Sequence, residues 1–437
     1  MADAETPLLE VRDLKTRFSL RGSFLDRLRG REAGSVKAVD GVSFALQRGE
    51  VLGVVGESGS GKTTLGRTLL GLVAASEGSI RFEGREVTGL SEGRFRPLRR
   101  RLQIVFQDPH ASLNPALTVG ASVADPLRFH GLADAGERRR RTVEVLERVG
   151  LVPASQFIDK YPGDLSGGQK QRAALARAVI LGPDVLIADE PVSMLDMSVR
   201  AKILELMVDL KRDLGLTYVY ITHDLATAKF FCDRIAIMYL GKIVELGPAK
   251  QIYADPKHPY TQSLLKAIPE PDPQRAVPRD VPRGEVPDAV MPPLGCPFHP
   301  RCSAAFEVCG WESRDLRTLL EARWTRLEEE EFEAERAVIG DLGSLDEPEA
   351  EARVAAAADY DGADVREIVD RLREDAPGDP FWRGVREVET GPTEVVIRFR
   401  EPLVPRPVQA GQAQVLCHLH DPEAVSRARG YLGGDER

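Results

Sequence analysis

No run in this chain approaches the roughly 18 consecutive apolar residues that a spanning helix needs, so it is not expected to cross a membrane itself. If it acts at one, another chain must supply the spans. The N-terminus, MADAETPLLEV, lacks a basic region followed by an apolar segment, so no signal peptide is expected and the reading is cytosolic. Cysteine is scarce: five residues exclude a secreted disulfide framework. No basic block argues for nucleic acid, and Arg139, Arg140 and Arg141 read as one solvated helix face. Lysine is absent after Lys266, a composition break that suggests a domain boundary.

What is present starts with ordinary bulk: 42% hydrophobic and 29% charged side chains, in a chain of 437 residues able to hold two or three domains. The net charge of −9 is uneven. Between Trp311 and Thr390 stand 24 acidic against 11 basic side chains, which leaves the remainder slightly basic.

The organising stretch is Gly56-Glu57-Ser58-Gly59-Ser60-Gly61-Lys62-Thr63, between the apolar run Glu50–Val55 and TTLGRTLLGLV, whose Leu65, Leu69 and Leu72 fall at helical spacing. Strand, glycine loop and helix form a phosphate cradle. The glycines let backbone N–H groups turn inward, and the helix N-terminus adds partial positive charge. Lys62 can reach β- and γ-phosphates and the Thr63 hydroxyl can ligate Mg²⁺. The chain is therefore expected to bind a nucleoside triphosphate.

Around this loop, Leu8–Leu14 and Val36–Leu46 alternate like strands, separated by the basic loop RGSFLDRLRGREAG; Phe18, just before it, can stack on an adenine or pack in the core. SIRFEGREV reads as a hairpin turning at Glu83-Gly84. The strand Ile104–Phe106 delivers Gln107 to a loop closed by Pro109, where it can touch Mg²⁺ or the attacking water. From Thr118 to Leu151 the pattern is helical, with Val143, Leu146 and Val149 on one face. Then Leu165-Ser166-Gly167-Gly168-Gln169 opens a helix and makes a second anion nest. One nucleotide rarely needs two such nests, so this one is read as serving a partner subunit's nucleotide. Strand Val185–Ala188 ends in Asp189, aimed at Mg²⁺ through water, and Glu190, aimed at a water in line with the γ-phosphate. The turn Ser193–Asp196 follows, and a further strand, Leu216–Thr222, ends at His223, at the same sheet edge.

PKHPYTQSLLKAIP reads as the helix that closes the compact part, and Pro269–Pro293 as a proline-rich linker. Beyond lie Cys296, Cys302 and Cys309, the acidic segment with a helix suggested by Leu316, Leu319, Leu320 and Leu327, a strand-like Thr393–Phe399, and Cys417. The tail shows little obvious core. Four thiols there can be small buried hydrophobes, or ligands for zinc (His299 being a substitute ligand) or for a [4Fe–4S] cluster. With a cluster, the acidic segment would be a long loop between the third and fourth ligands.

GESGSGKT, Gln107, LSGGQ, VLIADE, SMLD and His223, in that order, resemble the ATP-binding subunits of ABC transporters over Leu8 to about Pro269. VFQDPHASLNP, EPVSMLDMSV, HPYTQSLLKAIP and GEVPDAVMPPLGCPFHPRC resemble the oligopeptide/dipeptide importer branch, which includes some nickel importers. Met194 replaces the usual small residue of the turn, and the acidic segment is longer than the branch normally shows.

The resemblance implies an α/β P-loop NTPase: a nucleotide-binding domain over 1–268 with a helical subdomain at about 107–180, a linker and cysteine cluster over 269–310, and an acidic extension over 311–437. It implies an ATPase in which Phe18, Gly56–Thr63, Thr64, Gln107, Ser166–Gln169 and Asp189 bind ATP. Thr63, Gln107 and Asp189 would hold Mg²⁺, and Glu190, His223 and Gln107 would act in hydrolysis. The implied partners are two permease subunits, a second ATPase subunit and, indirectly, an extracytoplasmic solute-binding protein, with the chain peripheral on the cytoplasmic face of the membrane. A cysteine cluster ending in Cys-His, like Cys417-His418, resembles the tails of some peptide-importer ATPases and implies iron–sulfur at Cys296, Cys302, Cys309 and Cys417. A soluble ABC-type ATPase of DNA repair or translation is the alternative. Its usual second nucleotide domain, coiled coil or zinc-bearing insertion is not found in this core.

Overall fold

The computed structural model describes residues 6–20, 34–108, 112–268 and 284–432. The basic loop over 21–33, Pro109 and the first part of the proline-rich linker (269–283) lie outside the described residues. The chain forms two compact units, Met1–Asp255 and Pro256–Arg437. The division precedes the helix expected to close the first unit and places it in the second.

In the first unit β1 (Leu9–Ser19) and β2 (Ser35–Leu46) pair antiparallel, and β1 also pairs with β4 (Glu77–Phe82). β4 turns at Glu83-Gly84, both at positive φ, into β5 (Arg85–Glu86), as the hairpin pattern predicts. A second sheet runs β10-β9-β3-β8-β7-β6, from β10 (Lys242–Pro248), β9 (Arg234–Tyr239), β3 (Val51–Val55), β8 (Thr217–Thr222), β7 (Val185–Asp189) and β6 (Leu102–Val105). All but β10 are parallel, and β3, β7 and β8 carry near-continuous apolar residues because both faces are covered. Register aligns Val55 with Thr222, Asp189 with Ile221 and Val105 with Ala188. The loops after β3, β6, β7 and β8 therefore leave one edge together, the place where open parallel sheets bind ligands.

Helix α1 (Lys62–Leu69) packs Leu65 and Leu69 against Val54, Ile187 and Ile221. It ends at Leu69, so Leu72 falls beyond it and is exposed, while Leu70 takes the buried place. Between β6 and β7 lie α2 (Val119–Phe129), α3 (Ala135–Arg148) and α4 (Gly167–Val179), capped by Thr118, Asp134 and Ser166. The buried stripe of α3 is Thr142, Val145, Leu146 and the following Val149; Val143 is only half-buried. Arg140 and Arg141 pair with Glu137 on its solvated face. After β7 come α5 (Met197–Leu214), α6 (Leu225–Phe231) and α7 (Ala249–Ala254).

The second unit overturns the expectation of a coreless tail and a long acidic loop. It contains α8 (Pro259–Lys266), α9 (Ser313–Trp324), α10 (Glu329–Val338) and α11 (Gly362–Asp375), with β11 (Glu351–Ala355), β12 (Val385–Thr390) and β13 (Glu394–Phe399) in the order β11-β13-β12. A hairpin, β14 (Val408–Ala410) with β15 (Ala413–Val415), and α12 (Pro422–Leu432) complete it. Leu316, Leu320, Ile368, Leu372, Val395, Ile397 and Phe399 share a core with Phe306, Cys309, Trp311 and Phe381. Glu312, Asp315 and Glu335 are buried, while other charges pair on the outer faces: Arg398 meets Glu387 and Glu389 across the sheet, and Arg353 meets Glu351 and Glu394.

Candidate active site

The phosphate-loop glycines are dictated by contact. A Cβ on Gly61, at φ +98°, would lie 1.9 Å from the Ala38 carbonyl oxygen, and one on Gly56 would lie 2.1 Å from that of Met238. Within this loop the Lys62 ammonium donates to the carbonyls of Gly56 (2.8 Å) and Glu57 (2.7 Å). Burial lowers its pKa, while Glu190, Asp189 and Glu57 oppose that. The Thr63 hydroxyl donates to Asp189 at 3.1 Å. Asp189 is buried at the end of β7; burial raises its pKa, the Thr63 hydrogen bond lowers it, and neighbouring Glu190 raises it further.

Glu190 leaves β7 at φ +47°, a strained value for a non-glycine residue, with its N–H bonded to the Ile221 carbonyl at 2.9 Å. That turn aims the carboxylate at two partners. Gln107 Nε2 donates to Oε2 at 3.1 Å, and His223 Nδ1 lies 3.1 Å from Oε1. The ends of four strands thus bring Lys62, Thr63, Asp189, Glu190, Gln107 and His223 to one edge. Phe18 sits in β1 with 43% of its surface exposed, outside the core.

Ser166–Gln169 takes different neighbours. Ser166 and Gln169 cap each other reciprocally at the start of α4, leaving Ser166 and Gly167 exposed. A Cβ on Gly168 would press to 2.6 Å on Val199 of α5, and one on Gly167 would lie 3.5 Å from Leu195 in the turn after Glu190. Two side chains that the motif reading passed over stand behind this turn. Arg200 of α5 is 3.2 Å from the Asp224 carboxylate and donates to the Leu195 carbonyl at 3.4 Å. A charged residue one turn into a helix carries no local signal of a partner 24 positions away.

In the second unit Cys296, Cys302, Cys309 and Cys417 line one void of about 10 Å³, beside His258, His299 and His418. No disulfide joins any of the five cysteines. Burial raises the Cys302 thiol to about 11 and pushes Cys296 and Cys309 up as well. Among the described residues, no three of His, Cys, Asp and Glu are grouped so that they hold a metal ion. The iron–sulfur and zinc expectations therefore gain no metal site here. His299 is not a free ligand: Nε2 bonds Asp315 at 2.9 Å, and Nδ1 faces the Cys296 carbonyl at 2.8 Å. Among the described residues no helix is long and apolar enough to cross a membrane.

Comparison with known proteins bears on both units. Residues 39–193 match the ABC transporter family model, and residues 244–309 match the oligopeptide/dipeptide transporter C-terminal region. A peptide import ATP-binding protein of Brucella ovis is 45% identical over 313 residues, which cover 72% of this chain and 95% of that protein. The oligopeptide transport ATP-binding protein AppF of Bacillus subtilis is 45% identical over 311 residues, covering 70% and 92%. The glutathione import ATP-binding protein GsiA of Salmonella paratyphi A is 48% identical over 304 residues, covering 67% of this chain and 48% of that one.

Proposed function

This chain belongs to the ATP-binding subunits of ABC transporters of the oligopeptide/dipeptide branch, and from that membership we propose that its ATP hydrolysis drives the import of short peptides through separate permease subunits. The observation that carries the reading is the convergence of Gln107 and His223 on Glu190, beside the Lys62 loop and the Thr63–Asp189 pair. A carboxylate so held acts as the base that polarises the attacking water. His223 then stabilises the γ-phosphate as charge develops on it. Lys62 and the loop N–H groups take the β- and γ-phosphates, Thr63, Asp189 and Gln107 hold Mg²⁺, and Phe18, exposed on β1, stacks on the adenine. The exposed nest Ser166–Gln169, directed to the turn at Leu195, serves the nucleotide of a second ATPase subunit. The chain works peripherally on the cytoplasmic face, and an extracytoplasmic binding protein delivers the cargo.

For the tail, a structural [4Fe–4S] cluster is proposed from the resemblance of the Cys417-His418 ending alone: the four thiols line one small void but form no metal-holding group among the described residues. Iron analysis of protein purified without air tests this, and iron-free, colourless protein overturns it. The peptide-import reading is tested by uptake of labelled di- to pentapeptides in cells lacking this chain. Wild type restores uptake and Lys62→Ala does not. Uptake that is indifferent to the chain overturns the reading.

A further inference from the structure

Arg200 stands one turn into α5, whose N-cap Asp196 closes the turn that begins at Glu190. That turn is tied at its start, where the N–H and hydroxyl of Ser193 both donate to the Glu190 carbonyl. At its end the Leu195 carbonyl accepts from Arg200 Nη2 at 3.4 Å. The other guanidinium nitrogen, Nη1, lies 3.2 Å from Asp224 Oδ2. Asp224 immediately follows His223 and is itself fixed. Its Oδ1 caps α6 through Ala226 and Thr227, and its N–H donates to the Thr222 hydroxyl.

One guanidinium thus spans the loops after β7 and β8, each of which carries one member of the Glu190–His223 pair. We propose that Arg200 is a positioning residue for hydrolysis: by clamping Leu195 to Asp224 it fixes the distance at which His223 meets Glu190. The inference rests on the ATPase reading above. The planar fork of arginine suits the task because it reaches a carbonyl and a carboxylate at once, which a lysine ammonium does less well. The clamp also reaches outward. Leu195 lies against Gly167 of the nest assigned to the partner's nucleotide, so a shift of that nest is carried to the turn that Arg200 holds.

The test uses the full chain assembled with its partner subunits, with steady-state ATP hydrolysis, ATP affinity and thermal melting measured on each variant. Arg200→Gln is expected to lower kcat about tenfold, within the range that sub-ångström to ångström misplacement produces. KM for ATP is expected to stay within about twofold, because the clamp touches no phosphate-binding group. Arg200→Lys recovers part of the loss. Asp224→Asn, which keeps the helix cap but removes the charge, reproduces it, and keeps the proposal testable if Arg200→Gln fails to fold. On a Glu190→Gln background Arg200→Gln adds nothing, because the residue acts through that carboxylate. An unchanged kcat, a parallel rise in KM, or a full tenfold loss on the Glu190→Gln background overturns the proposal. The same assay separates the two readings. If wild type does not hydrolyse ATP, the ATPase assignment falls. If wild type hydrolyses, Glu190→Gln does not, and Arg200→Gln equals wild type, only the clamp falls.

Discussion

Replacing Glu190 by Gln changes one oxygen to an amide nitrogen and little else. The side chain is 14% exposed and held between Gln107 and His223, each at 3.1 Å, so an isostere fits the same place. What it loses is the base. Losing a positioned general base costs about 10²–10⁴ in rate, which at about 1.4 kcal/mol per decade is roughly 3–5.5 kcal/mol of barrier. Binding is affected far less. The loop carbonyls that hold Lys62 are unchanged, and the removed charge is the largest of three that oppose the lowering of its pKa by burial. A change of about threefold in ATP affinity, under 1 kcal/mol, is expected. The assay is single-turnover hydrolysis beside equilibrium binding of a fluorescent ATP analogue, both in the assembled transporter. Turnover within fivefold of wild type would refute the assignment of Glu190 as base, and loss of binding in step with turnover would show that it holds nucleotide instead.

Three further outcomes are expected. Ser166→Asp keeps a good N-cap for α4 but faces a phosphate with a carboxylate, so it should impair the site built on the partner's phosphate loop. Site-selective nucleotide trapping reads this, and a defect confined to this chain's own Lys62 site contradicts it. Gly168→Asp is a poorer probe, because its side chain would strike Val199. At Asp184, burial raises the carboxyl pKa, but Arg101 and Arg48 outweigh that and hold it below the usual value. The stability it contributes is present above pH about 4 and lost as pH falls through the lowered value. Asp184→Asn should therefore cost about 1–2 kcal/mol at pH 7, and its melting temperature should converge on wild type once the pH has fallen through the lowered pKa. An equal deficit above and below that pKa contradicts this. Phe381→Ala should cost the second unit about 3–5 kcal/mol, since the ring is buried against Trp311, Trp382 and Phe399. Melting within about 1 °C of wild type would mean that this core is not packed as described.

The convergence of the candidate site was legible because its signals are local. A strand, a glycine loop with Lys62-Thr63 and a helix lie within twenty residues, and Asp189-Glu190 and His223 each come at the end of a near-continuous apolar strand. The hairpin at Glu83-Gly84 is local in the same way. The acidic segment was opaque for the opposite reason. Its strands are short, β11 joins β13 across the whole of α11, and β12 buries so little that it shows no clean alternation. Interleaved charges, Asp364, Arg366, Glu367, Asp370 and Arg371, then mask the helical stripe Val365, Ile368, Val369 and Leu372. His299 was misjudged as a ligand because its partner Asp315 is 16 residues away, and Leu72 because a period of 3.6 does not say where a helix stops.

The central claim is that ATP hydrolysed at Glu190 of this chain moves peptide. The most direct measurement is release of a labelled peptide from proteoliposomes carrying the assembled transporter, oriented with its ATPase face outward and with the peptide-loaded binding protein enclosed, followed on adding ATP-Mg²⁺. Peptide should leave the lumen with ATP, stay without it, and stay with ATP when the chain carries Glu190→Gln. Transport at the wild-type rate by the Glu190→Gln assembly, or ATP hydrolysis at the wild-type rate with no peptide movement, would contradict the account.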